Sequence, residues 1–153
     1  MRSSMHSVSQ PPSFWVSWLT VVSVGVTLFG FSLVILPYAA RQGFSLLIYG
    51  DAGHISSFGE EAAGYVALAH AVLGSVMLGW GVALILIVRR QFARGSRLGW
   101  QVISVSVLCW FFPDTAFSLW TGFWQNALLN ILIFVLFLVP LAATYRICRN
   151  TEA

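Results

Sequence analysis

Four times along this chain some twenty residues pass almost without a charge. The runs are Phe14–Leu36, Tyr65–Val88, Leu98–Leu119 and Trp124–Tyr145. An α-helix rises about 1.5 Å per residue, so about 20 apolar residues cross the roughly 30 Å of hydrocarbon in a bilayer. A helix also satisfies its backbone N–H and C=O groups within one segment, which hydrocarbon demands. The expected fold is therefore all-α: a polytopic membrane protein built as a four-transmembrane-helix bundle. Composition excludes the alternatives. Hydrophobic residues make up 58% of the chain and charged residues 8%, against roughly 25% charged in a soluble domain. A water-soluble surface could not be covered with so few charges, and disorder needs low hydrophobicity and high charge.

The expected organisation follows from these runs. Residues 1–13 form a short Ser- and Pro-rich segment, expected to be disordered. A single transmembrane domain covers 14–146, with spans at about 14–36, 65–88, 98–119 and 124–145. Residues 37–64 form one longer outer connection, and 147–153 form a tail. Within that connection, Phe44–Tyr49 is too short to span and reads as a strand or an interfacial helix turn. The first run reads as a retained span. Its apolar stretch is longer than the about 7–15 residues of a cleaved leader, and no small-x-small site follows in 37–40.

Arginine sets the expected orientation. All eight basic residues are Arg. Arg89, Arg90, Arg94 and Arg97 crowd the second connection, Arg146 and Arg149 the tail, and Arg2 the N-terminal segment. The 37–64 connection holds Arg41 alone against Asp51, Glu60 and Glu61. The positive-inside tendency then puts both termini and the 89–97 connection in the cytoplasm of a bacterial inner-membrane protein. Trp15, Trp18 and Trp100 would mark the inner interface, and Trp120 and Trp124 the outer one. The net charge of +3 and pI near 9.3 do not point to nucleic acid, because the arginines sit at the ends of apolar runs and form no stripe. Cys109 and Cys148 fall at opposite depths, too far apart for a disulfide.

Polar residues inside spans are costly and usually face the protein. His70, Asp114 and Asn130 stand out, one on each of three spans. Asp114 and Asn130 lie about 7 Å, and His70 about 10 Å, from the centres of their spans, all displaced outward. Ser32, Ser118 and Asn126 reach similar or shallower levels. One polar residue per helix at one level is what a shared network requires. These six are the candidate binding or proton-handling residues, and Trp110, Trp120 and Trp124 are candidate walls of a pocket beside them. Ala63, Ala67, Ala71, Gly74 and Gly81 lie around His70 at helical spacings, as a stripe on which helices approach closely. Gly25–Gly30 reads the same way. Pro113 and Pro140 should kink their spans. Asp51, His54, Glu60 and Glu61 read as a solvated loop, since no metal-ligand spacing joins them.

Two functional readings follow. In the first, the chain is a non-catalytic accessory, binding or transport protein, with the cluster as interhelical hydrogen bonding or as a polar pocket. In the second, it is a membrane enzyme using Asp114 and His70 as an acid–base pair on a lipid or quinone-like substrate. The second ranks lower because no nucleophile, metal or cofactor accompanies the pair. Catalytic residues are not identified, and no cofactor or metal is expected. A quinone-linked disulfide oxidase would carry cysteine pairs in its outer loops. A four-helix b-type cytochrome would pair intramembrane histidines on haem. A small multidrug transporter would carry a carboxylate in the first span. None of these features is present in the sequence. The expected partners are membrane lipids, another membrane protein or a second copy of the chain, and not nucleic acid.

Overall fold

A computed structural model describes residues 10–149. Five α-helices and no strand occur among the described residues. They are α1 (Ser13–Ile35), α2 (Pro37–Tyr49), α3 (Glu60–Arg90), α4 (Arg97–Trp120) and α5 (Trp124–Arg149). Short 3-10 turns at His54–Phe58 and Phe92–Arg94 complete the connections. All but α2 are long and apolar enough to cross a membrane. Most of the Ser/Pro-rich N-terminal segment and the last four residues of the tail lie outside the described residues. Helix α5 continues through 147–149.

Helix ends follow local chemistry. Pro37 disfavours the helical region for Leu36, which sits at φ −127° and ψ 50°. So α1 stops at Ile35 and a new helix starts with Pro37 in its first turn. That new helix corrects the sequence reading of Phe44–Tyr49. The segment is not a strand but helical, as the second half of a 13-residue helix that is longer than the expected helix turn. Its inward positions Arg41, Phe44, Ser45 and Ile48 follow helical spacing. Gly50, at φ 73°, ends it in the left-handed region. Helix α3 begins five residues before the expected Tyr65. Glu60 and Glu61 occupy its first turn and Arg89 and Arg90 its last, so both ends complement the helix dipole. The turn between α4 and α5 is short because Gly122 takes φ 83°.

The long helices form two tight antiparallel pairs, α1 with α3 and α4 with α5, which meet each other over fewer residues. The α1–α3 pair is close because glycine faces glycine. A Cβ at Gly74 would lie 2.6 Å from the Gly30 carbonyl oxygen, and one at Gly30 would lie 2.6 Å from the Leu78 nitrogen. Gly81 meets Thr27 in the same way. Small residues at such spacings let backbones approach to van der Waals contact. Gly25 does not share this role, because nothing lies within 4 Å of a Cβ built there. In the α4–α5 pair, Phe111 stacks on Phe134 at 4.2 Å.

The pairs are joined at the end of the bundle where α1 starts and α5 ends. Leu19, Val88, Phe92, Ile103, Phe137 and Cys148 form one buried cluster there. Trp80 reaches Trp110 at 5.9 Å and Phe137 at 6.3 Å. A further tie comes from Pro140. Proline has no N–H to give the carbonyl four residues earlier, which is that of Leu136. The Trp18 indole N–H donates to this carbonyl at 2.9 Å, joining α1 to α5 where α5 lacks its own bond. The outward faces are apolar: Val76 is 65% and Val105 57% exposed. Water-soluble monomers rarely carry contiguous apolar surface beyond a few hundred Å².

Candidate functional site

At the end opposite the start of α1 and the end of α5, α4 and α5 meet through side-chain polar groups. Asp114 and Ser118 are one turn apart on α4, and Asn126 faces both from the first turn of α5. The Asn126 amide donates to Asp114 Oδ1 at 3.0 Å and to Ser118 Oγ at 2.8 Å. The single Ser118 hydroxyl proton has two acceptors within reach, the Asp114 carbonyl at 2.8 Å and Asp114 Oδ1 at 3.3 Å. Both amide protons of Asn126 are therefore used, and Ser118 both donates and accepts. Asn130, one turn further along α5, is buried at 3% exposure. Its amide reaches Thr115 Oγ1 at 3.5 Å, the outer limit of a hydrogen bond.

His70 stands apart from this group. Its Nδ1 lies 2.7 Å from the Val66 carbonyl oxygen of its own helix. A carbonyl can only accept, so that nitrogen carries the proton. The ring packs on Phe44 of α2 at 4.8 Å, and Phe44 in turn approaches Phe29 of α1 at 6.5 Å. Among the described residues no hydrogen bond links His70 to Asp114. The expected three-helix network therefore divides into an α4–α5 polar group and a histidine seated under α2. The reason is pairing: α3 packs along α1, so its side chains at this level meet α1 and α2 rather than α4. Ser32 bonds the Phe29 carbonyl of its own helix at 2.7 Å and lies outside the group as well.

Two polar residues not singled out from the sequence take part at this end. Thr115 receives Asn130, and the Gln125 amide donates to the Ile48 carbonyl of α2 at 3.1 Å. Thr115 adjoins Asp114 and Gln125 adjoins Asn126, so adjacency was the available signal. A helical threonine can also satisfy itself on its own backbone, which hides such a role. The aromatic walls expected here are not assembled. Trp120 is 85% and Trp124 61% exposed.

Trp110 instead lines a large apolar space, a groove of about 690 Å³. Helix α1 forms one wall through Phe14, Ser17, Trp18, Val21, Gly25 and Phe29. Met77 and Trp80 of α3, Trp110 of α4, and Ile133 and Leu136 of α5 form the others. The groove exists because the two tight pairs touch loosely and because Gly25 adds no side chain. Ser17 offers its only hydroxyl. The Trp18 N–H, which could have served a polar ligand, is used by Leu136. Such a lining can hold an apolar molecule but offers little to orient a polar one. Among the described residues no group of three or more His, Cys, Asp or Glu side chains could hold a metal ion, and Cys109 and Cys148 are free thiols.

Neither the family models, the curated proteins nor the solved structures compared with the chain gave a match.

Proposed function

We propose that this chain is a multi-pass protein of the bacterial inner membrane, with both termini in the cytoplasm, that holds an elongated apolar molecule in its lateral groove without reacting with it. The groove carries the reading. Its volume lies within the roughly 300–1,000 Å³ range of small-molecule sites. It runs from Phe14 to Phe29 along α1, about 22 Å at 1.5 Å per residue, so a chain-like occupant suits it. A partner helix, at least about 10 Å across with side chains, would rest on its rim and could not enter. The arginines at the terminal end support the orientation through the positive-inside tendency. The polar group on α4 and α5 supports a non-catalytic role, because its donors are committed to one another and no histidine joins it. In this reading Asp114, Ser118 and Asn126 close the outer end of the α4–α5 hairpin.

Gly25→Trp tests the reading, since Gly25 lines the groove and a Cβ built there has nothing within 4 Å. The parent protein, purified in detergent, is expected to retain a lipid-soluble molecule that appears in the mass spectrum of its organic extract. Gly25→Trp is expected to lose that molecule while melting within a few degrees of the parent. Retention by Gly25→Trp, or an extract of the parent no different from bulk lipid, would overturn it.

A further inference from the structure

The α4–α5 pair has a second opening, on the terminal end, whose two halves differ in character. The outer half is a polar pocket of about 440 Å³ between Arg97 and Gln101 of α4 and Tyr145 and Arg149 of α5. The inner half is an apolar crevice of about 350 Å³ lined by Val107, Leu108, Phe134, Leu138 and Leu141, with Ser104 as its only aliphatic hydroxyl. Trp100 and Tyr145 line both, so the two halves adjoin. Their rings pack at 5.4 Å where the lining changes from polar to apolar. The indole N–H of Trp100 donates to the Leu141 carbonyl at 2.8 Å, which fixes it there.

Charge and length identify the occupant. Arg149 lies over the Tyr145 ring at 5.9 Å and donates to its hydroxyl at 3.4 Å. Among the described residues neither Arg149 nor Arg97 pairs with a carboxylate. Arg97, Arg149 and Gln101 line one pocket, and guanidinium groups are the side chains best suited to a phosphate. From Arg97 to Leu108 the opening runs about 16 Å at 1.5 Å per residue. That matches one leaflet, half of a hydrocarbon core of about 30 Å. An aromatic pair at the change from polar to apolar suits the headgroup level.

We infer that this opening is a binding site for one anionic phospholipid of the cytoplasmic leaflet, its phosphate between Arg97 and Arg149 and one acyl chain in the α4–α5 crevice. The inference rests on the membrane placement proposed above but not on the α1 groove, which it does not touch.

The test uses the full chain in detergent, titrated with phosphatidylglycerol, phosphatidylcholine or inorganic phosphate, with lipid adducts counted by native mass spectrometry. The variants are Arg97→Gln/Arg149→Gln, Ala142→Phe to fill the crevice, and Arg90→Gln as an exposed arginine outside the opening. Phosphatidylglycerol is expected to bind the parent and Arg90→Gln alike. The double arginine variant is expected to bind it roughly 30-fold more weakly, taking about 1 kcal/mol per arginine and about 1.4 kcal/mol per factor of ten. Ala142→Phe is expected to lose the lipid with both arginines in place. Equal binding of phosphatidylcholine, equal loss in Arg90→Gln, or inorganic phosphate competing as well as the lipid would each overturn the site. Extraction of cell membranes with alkaline carbonate separates the two proposals. A chain that washes out refutes the membrane placement itself. A chain that stays but shows no preference for phosphatidylglycerol refutes this site alone.

Discussion

Asp114 and His70 show how far single residues could be read. Their depth was legible, because helical rise converts position into height. Their partners were not, because depth leaves open which helix lies opposite. Asp114 found Ser118 on its own helix and Asn126 across one tight turn, and His70 found a backbone carbonyl and Phe44. The energetic consequence can be measured. Asn126→Ala removes a donor from a half-buried carboxyl group, which costs about 1–3 kcal/mol, whereas the exposed Glu61→Ala stays within about 0.5 kcal/mol. A double-mutant cycle in detergent should find Asp114 and Asn126 coupled by about 0.5–3 kcal/mol. The same cycle on Asp114 and His70 should be additive within about 0.5 kcal/mol. Coupling of Asp114 to His70 but not to Asn126 would reverse the assignment of partners.

At the scale of helices, Gly25 and Gly30 make the sharpest contrast. The sequence treats them alike, as small residues on one span. The structure gives Gly30 the α3 backbone as its neighbour and gives Gly25 open space. Gly30→Leu should therefore force α1 from α3 and destabilise the bundle by more than about 1–3 kcal/mol, the usual range for overpacking. Gly25→Leu should melt within a few degrees of the parent. Equal thermal stability of the two variants would show that α1 and α3 do not pack through this face. The long helices were legible because each carries its own apolar run. Helix α2 was harder. Its last six residues are a short, mostly bulky apolar run that does not separate strand from helix, and its helical character shows only when Pro37 and the 39–42 stretch are taken with them. That Pro140 would leave a carbonyl without its helical partner was legible. That Trp18 would take up the carbonyl it frees was not, since those residues lie on different helices.

For the whole molecule, the even number of long helices puts the start of α1 and the end of α5 at one end, and arginine content supports a cytoplasmic assignment for that end. With Cys109 and Cys148 replaced by serine, a single cysteine at Ser57 should react with a membrane-impermeant thiol reagent in intact cells. One at Thr151 should react only after lysis, and the reverse pattern would invert the bundle. The pairwise architecture follows from where small residues fall. Glycines draw α1 to α3, a short turn draws α4 to α5, and the looser seam between the pairs becomes the groove. Apolar periodicity alone could not reveal that seam, because lipid-facing and groove-facing positions are equally hydrophobic. The groove is tested most directly by a photoreactive amino acid at Val21, on its wall, compared with one at Val105, on an outward face. After irradiation in native membranes, mass spectrometry of the intact chain should show a single preferred lipid-soluble adduct at Val21 and a mixture of bulk phospholipids at Val105. The same bulk mixture at both positions, or a polypeptide cross-linked at Val21, would contradict a groove that holds an apolar ligand.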